Sequence, residues 1–167
     1  MRLLLIRHAT ADDPPGCRFS GDDASRPLSN AGKRKMRTIA NRLRLLERRV
    51  DCFASSGLVR SDQTAELLAR AYRRPPPVRL SALAPGGPFE AIVDWLQQYP
   101  ADAVVALVGH EPGLGRLTGL LVAGRPSRAV AFKKGGVCMI EFDAAPGPAM
   151  GMLRWALTPA QIGRLKA

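Results

Sequence analysis

Only two histidines occur in the chain, and each directly follows a short apolar run. The first run, Leu3-Leu4-Leu5-Ile6, is closed by Arg7-His8. The second ends in Val108-Gly109-His110-Glu111-Pro112. A third leads into Ser55-Ser56-Gly57-Leu58-Val59-Arg60, which puts Arg60 at the opening of a helical pattern. As strands of an open α/β sheet, these runs would deliver their carboxyl ends to the edge where such sheets bind ligands. Two imidazoles and two guanidiniums would then converge. Guanidinium forks grip the non-bridging oxygens of a phosphoryl group with fixed charge and several N–H donors. A neutral imidazole can attack phosphorus and carry the group covalently. A second can donate to the equatorial oxygens, where charge collects in the transition state. The pattern points to metal-independent phosphoryl transfer through a phosphohistidine, with no cofactor. Taken singly, Arg7 and Arg60 read as surface charges and the histidines as turn residues. The inference rests on their conjunction.

The surrounding elements must bring these ends together. Residues 2–7 read as a buried strand, continuous rather than alternating. Residues 9–28 are a loop rich in Asp, Pro, Gly and Ser. Ser29 caps a predicted helix that runs to about Arg48, with Met36, Ile39, Ala40, Leu43 and Leu46 inward and a basic opposite face. A strand at 51–55 and a helix at 59–72 follow. Pro75-Pro76-Pro77 breaks that helix, and a short strand is expected at 78–80. The loop Pro85-Gly86-Gly87-Pro88 precedes a helix over 89–98 and a buried strand over 103–108. Pro112 suits the first turn of a helix reaching Val122. Strands at 137–142 and 152–157 flank a Pro/Gly-rich loop, and Thr158-Pro159 opens a last short helix. Strands alternating with helices imply βαβ units. The expected fold is therefore α/β, a three-layer αβα domain spanning 1–167 with a mainly parallel mixed sheet and an antiparallel edge.

Composition narrows the rest. Twenty-five Lys and Arg against fourteen Asp and Glu give +11, a field that attracts phosphorylated molecules and acidic proteins. The Arg-rich stretches 34–49 and 70–79 are expected to be solvated helix faces. Nine aromatic residues and no nucleic-acid motif argue against nucleic acid as the partner. No apolar run approaches a membrane span, and the start lacks a signal-peptide pattern. Cys17, Cys52 and Cys138 form no C-x-x-C pair, so reduced thiols in a cytoplasm are expected, with Cys52 and Cys138 as small core residues. Two distant histidines without a Cys or carboxylate cluster argue against a structural metal. No heptad stands out, so a monomer is expected.

Five segments together resemble the histidine phosphatase superfamily, and most closely its small SixA-type phosphohistidine phosphatases. They are Leu5-Ile6-Arg7-His8, Arg26-Pro27-Leu28-Ser29-Asn30-Ala31-Gly32, Ser56-Gly57-Leu58-Val59-Arg60-Ser61-Asp62-Gln63-Thr64-Ala65, Val108-Gly109-His110-Glu111-Pro112 and Leu153-Arg154-Trp155-Ala156-Leu157-Thr158-Pro159. The resemblance implies a phosphoglycerate mutase-like fold without its large helical insertion, since the stretch from Leu80 to Ala103 has no room for one. It implies His8 as the phosphorylated nucleophile, with Arg7, Arg60 and His110 around the phosphate. Ala9 stands where the family motif has Gly, and Gly57 where it has Pro, which should loosen that turn. Larger members place a carboxylic acid over the leaving group in the region matching 82–90, which nominates Glu90. Asp12 and Asp13, with Asp22 and Asp23, lie in the loop after His8 as further candidates, and Glu111 adjoins the second histidine. The expected substrate is phosphohistidine in a signalling or phosphotransfer protein, docked with help from the basic surface. A small-molecule phosphomonoesterase of the same superfamily and a noncatalytic phosphate- or polyanion-binding module are the alternatives.

Overall fold

The computed structural model describes residues 1–12 and 23–166. Six strands form one sheet: β1 (Arg2–Arg7), β2 (Cys52–Ser55), β3 (Val78–Arg79), β4 (Val104–Gly109), β5 (Val137–Phe142) and β6 (Gly151–Leu157). Their order across the sheet is β3-β2-β4-β1-β5-β6. The four strands from β3 to β1 run parallel, whereas β5 lies antiparallel to β1 and β6 antiparallel to β5. The helices are α1 (Asn30–Leu46), α2 (Val59–Ala71), α3 (Phe89–Leu96), α4 (Gly113–Ala123) and α5 (Pro159–Ile162).

Alternation along the central strands decides which helix packs where. Leu3 and Leu5 of β1, with Val105 and Leu107 of β4, join Ile92 and Leu96 of α3 and Leu114, Leu117 and Leu121 of α4. Leu4 and Ile6, with Val104, Ala106 and Val108, face Met36, Ile39 and Leu43 of α1 and Leu68 of α2. Both faces of β1 and β4 are therefore buried, which explains why these runs are continuously apolar. Arg34, Lys35, Arg37, Arg44 and Arg48 are exposed, as expected of a solvated face.

Some expectations need correction. α1 ends at Leu46, two residues before Arg48, because Glu47 turns extended. Leu46 is 39% exposed, since it falls past the strip of α1 that faces the sheet. α3 stops at Leu96 rather than at residue 98. Cys138 is buried, but Cys52 is only partly so, with its sulfur accepting from the Tyr99 hydroxyl at 3.2 Å. The expectations for Asp13, Cys17 and Asp22 lie outside the described residues.

The start of α1 is held against the loop that follows β1. The Ser29 side chain accepts from Gly32 N–H at 2.9 Å, capping the helix. Ser29 N–H donates to the Thr10 carbonyl at 3.0 Å. A Cβ on Gly32 would stand 2.1 Å from that same carbonyl oxygen, so the close approach requires glycine.

Candidate active site

The parallel register of β1 on β4 sets Arg7 opposite Gly109. His8 N–H then donates to the Gly109 carbonyl at 3.1 Å. His110 follows Gly109, and the two imidazole rings lie 4.9 Å apart, centroid to centroid. Both are buried, at 7% and 5% exposure.

Each ring is held by one nitrogen. His8 Nδ1 lies 2.7 Å from the Ala9 carbonyl, an acceptor only, so the ring proton sits on Nδ1 and Nε2 keeps its lone pair. Ala9 N–H donates to Thr64 Oγ1 at 3.1 Å, and that hydroxyl donates to the Arg60 carbonyl at 2.7 Å. Thr64 thus ties the turn after His8 to the first turns of α2. Ala9 is buried and does not have a positive φ, so its methyl group brings no backbone strain where relatives carry glycine. His110 Nε2 lies 2.7 Å from Ser56 Oγ. That oxygen also accepts the Leu58 N–H at 3.3 Å. His110 Nδ1 is buried and has no hydrogen-bond partner among the described residues. Gly57, between Ser56 and Leu58, has φ +87°. Proline cannot adopt that value, so the turn follows a different path rather than a loosened version of a Pro-bearing one.

The two arginines approach from different elements. Arg7 Nη1 donates to the Phe132 carbonyl at 2.7 Å, and its Nε is buried without a partner among the described residues. Arg60 is 6% exposed. It donates to the Asp23 carbonyl through Nη1 and to Asp23 Oδ2 through Nη2, the latter at 2.7 Å. Arg7 Nε–H and His110 Nδ1 are therefore two buried polar groups with no hydrogen-bond partner among the described residues. Such groups are costly to bury unpaired, and an anion seated beside them would satisfy both.

The electrostatics keep both histidines neutral. Burial pushes His8 down to about 4 against the pull of the Ala9 carbonyl, and the cations Arg60, Arg7 and Lys134 depress it further. Burial is also the main cause for His110, pushed down to about 3, with His8 and Arg60 adding to it. A neutral His8 with a free Nε2 lone pair is chemically equipped to attack phosphorus.

The carboxylates named as possible acids occupy four different situations. Asp23 is slightly desolvated, which acts to raise it, but hydrogen bonds from Arg60 and Arg26 hold its carboxyl below the usual range. It is an ionised partner of Arg60, not a proton donor. Asp12 is exposed, with its backbone bonded to Pro27 and its carbonyl accepting from Arg26. Glu90 is exposed in the first turn of α3, where it lines a cleft of about 380 Å³ that His110 also lines. Glu111 lines the same cleft, yet its Oε1 accepts the Phe132 N–H at 2.7 Å and its Oε2 is buried without a partner among the described residues. The Phe132 backbone is thus held by Glu111 at its N–H and by Arg7 at its carbonyl. Sequence reasoning named no role for Ser56, Thr64 or Phe132. The first two lie inside a motif, but nothing in their identity reveals which ring or peptide they hold. Phe132 acts through its backbone, for which residue type leaves no signal. Among the described residues, no group of three His, Cys, Asp or Glu is placed to hold a metal ion.

Comparison with known proteins bears on the family and the fold. The model of the histidine phosphatase superfamily (branch 1) matches residues 3–84. An uncharacterized protein of Picosynechococcus is 35% identical over 147 residues, 87% of each chain. The structure of the protein histidine phosphatase SixA complexed with tungstate aligns with a TM-score of 0.80 at 24% identity, covering 96% of this chain and 98% of the other. A putative phosphohistidine phosphatase SixA from Agrobacterium tumefaciens aligns at 0.72 and 25% identity, over 95% and 97%. A putative alpha-ribazole-5'-P phosphatase from Escherichia coli aligns at 0.75 and 19%, over 96% and 98%. The chain belongs to the histidine phosphatase superfamily, with the mixed α/β fold of that family, and the enzyme class that follows is phosphatase.

Two outcomes test the geometry. In an NMR titration of the ring protons, His8 stays neutral through the physiological range and gains its proton only near pH 4. A midpoint at the unperturbed imidazole value, about 6.5, contradicts the burial and cation argument. Glu111→Ala weakens orthophosphate binding about tenfold by releasing the Phe132 peptide that holds Arg7. Glu111→Gln, which keeps an acceptor for that N–H, retains most of the affinity in the same calorimetric assay.

Proposed function

We propose that the chain is a phosphohistidine phosphatase that works without a metal through a covalent phosphoryl group on His8. The observation that carries this reading is the pair of buried polar groups left without a partner among the described residues, Arg7 Nε and His110 Nδ1, beside an imidazole whose Nε2 lone pair is free. A phosphoryl group fits that constellation. Its oxygens take up the donors of Arg7, Arg60 and His110, and its phosphorus faces Nε2. Arg60 engages it while Asp23 keeps the guanidinium oriented.

The transfer is a double displacement. His8 Nε2 forms a bond to phosphorus as the bond from phosphorus to the substrate nitrogen breaks. The departing imidazole takes a proton from water. A water molecule then attacks the phosphoryl group on His8, the P–Nε2 bond breaks, and orthophosphate leaves. The two cationic side chains offset the charge on the equatorial oxygens.

The choice of substrate rests on the carboxylates. Among the candidates in the described residues, Asp23 is ion-paired, Glu111 is turned to Phe132, and Glu90 and Asp12 are exposed. Asp23, Glu90 and Asp12 are not buried against the reacting edge, and Glu111, whose Oε2 is buried on the cleft, has its other oxygen committed to the Phe132 N–H, so none stands free as a general acid. An alkoxide leaving group needs such an acid, whereas a phosphorylated imidazole leaves once solvent protonates it. Glu90, on the shared cleft, is the specific observation favouring the second reading, a small-molecule phosphomonoesterase.

Phosphate release measured in excess chelator separates the readings. Wild type is expected to act faster on a phosphohistidine-bearing protein than on p-nitrophenyl phosphate, and His8→Ala to lose both activities. Preference for the ester supports the phosphomonoesterase. Polyanion binding without turnover supports a noncatalytic module.

A further inference from the structure

Helix α1 carries Lys33, Arg34, Lys35, Arg37, Arg42 and Arg44 and no acidic residue. Eight arginines elsewhere, Arg2, Arg26, Arg49, Arg60, Arg70, Arg74, Arg79 and Arg154, lie within 4 Å of a carboxylate, whereas Arg48, Arg73, Arg116, Arg125, Arg128 and Arg164 make no ion pair with a described residue. None of the six cations of α1 makes an ion pair with a described residue. Lys33, Arg37 and Arg44, at i, i+4 and i+11, fall on one line along the helix. Lys33 and Arg37 also border a shallow hollow shared with Gln63, Glu66 and Arg70 of α2. Its one acid, Glu66, is 3.9 Å from Arg70.

The line starts near the end of α1 that is bonded to the segment following His8. The capping residue of α1, Ser29, is bonded through both its N–H and its hydroxyl to the Thr10 carbonyl, two residues beyond His8. From there the cations run from Lys33 to Arg44, about 16 Å along the surface of the helix. Unpaired cations this close together repel one another, so the free protein gains nothing from their arrangement. An opposing row of carboxylates would relieve the repulsion.

We propose that the Lys33–Arg37–Arg44 line is the docking track for an acidic protein surface that presents the phosphorylated side chain to His8. The inference rests on the phosphohistidine reading above and adds how the macromolecule is recognised. A membrane surface fits less well, because the apolar face of α1 (Met36, Ile39, Ala40, Leu43) is already buried against the sheet and cannot insert. A single-stranded nucleic acid fits less well, because α1 has no aromatic residue for base stacking.

The test compares the natural line with the triple variant Lys33→Ala, Arg37→Ala, Arg44→Ala, since alanine preserves the helix. Binding is measured by titration with an acidic, histidine-phosphorylated phosphotransfer protein, on a His8→Ala background so that the ligand survives. Turnover of free phosphohistidine is measured with His8 intact. The triple variant is expected to bind the phosphoprotein about tenfold more weakly at low salt, with the gap closing as salt is added. Its turnover of free phosphohistidine should stay within about twofold of the parent, well inside the effect expected of lost docking charges. Unchanged phosphoprotein affinity overturns the proposal. So does an equal loss of free-phosphohistidine turnover, which marks the line as structural. Track-dependent binding of duplex DNA or anionic vesicles, without track-dependent binding of the phosphoprotein, overturns it in favour of those partners. Should the parent enzyme turn over no phosphohistidine at all, the functional reading fails in the turnover arm while the binding arm still decides the docking track.

Discussion

The pairing of β1 on β4 is the constraint on which the site depends. With Arg7 opposite Gly109, both strands end at the same level, and the residue after each is a histidine. The His8 N–H to Gly109 carbonyl bond extends the ladder one step beyond the strands. A slip of one residue would turn His8 to the opposite side and exchange the side chains packed against the two helical layers. The alternating burial of Leu3 to Ile6 against two different helical layers therefore specifies the catalytic geometry as firmly as it specifies the sheet.

What this edge assembles is polar, cationic and buried, which is unfavourable for an empty protein. Two guanidiniums and two imidazoles share a small volume, and burial keeps the imidazoles neutral. The surrounding structure offsets the cost with hydrogen bonds that also orient the groups. Ala9 fixes the His8 tautomer, Ser56 holds His110, Phe132 holds Arg7, and Asp23 holds Arg60. The donors left over are the ones an incoming phosphoryl group would use. Preorganisation of this kind places the energetic cost in folding rather than in the reaction.

Much of this was legible in the amino-acid order, and the remainder was hidden for definite reasons. Continuous apolar runs identify β1 and β4, and the residues at their ends identify His8, Arg7 and His110 as neighbours. Ser29 and Thr158 announce their helices because side-chain caps leave a residue-type signal. Glu111 was legible only as a charge beside a histidine, since whether a carboxylate faces the substrate or a peptide depends on a segment twenty residues away. Phe132 contributes through its backbone, and Gly57 through a left-handed φ that a motif comparison reads merely as a missing proline. Leu46 shows the limit of helical periodicity: spacing puts it near the apolar stripe, but the helix ends there and leaves it half in water.

The central claim is that His8 Nε2 carries the phosphoryl group. The most direct measurement is a rapid quench of the enzyme during turnover, at a pH that preserves phosphohistidine, followed by peptide mapping by mass spectrometry. The account predicts one added phosphoryl group on the peptide containing His8, present during turnover and absent from the His8→Ala variant. Steady release of phosphate with no phosphoryl group on that peptide, or undiminished turnover by His8→Ala, would contradict it.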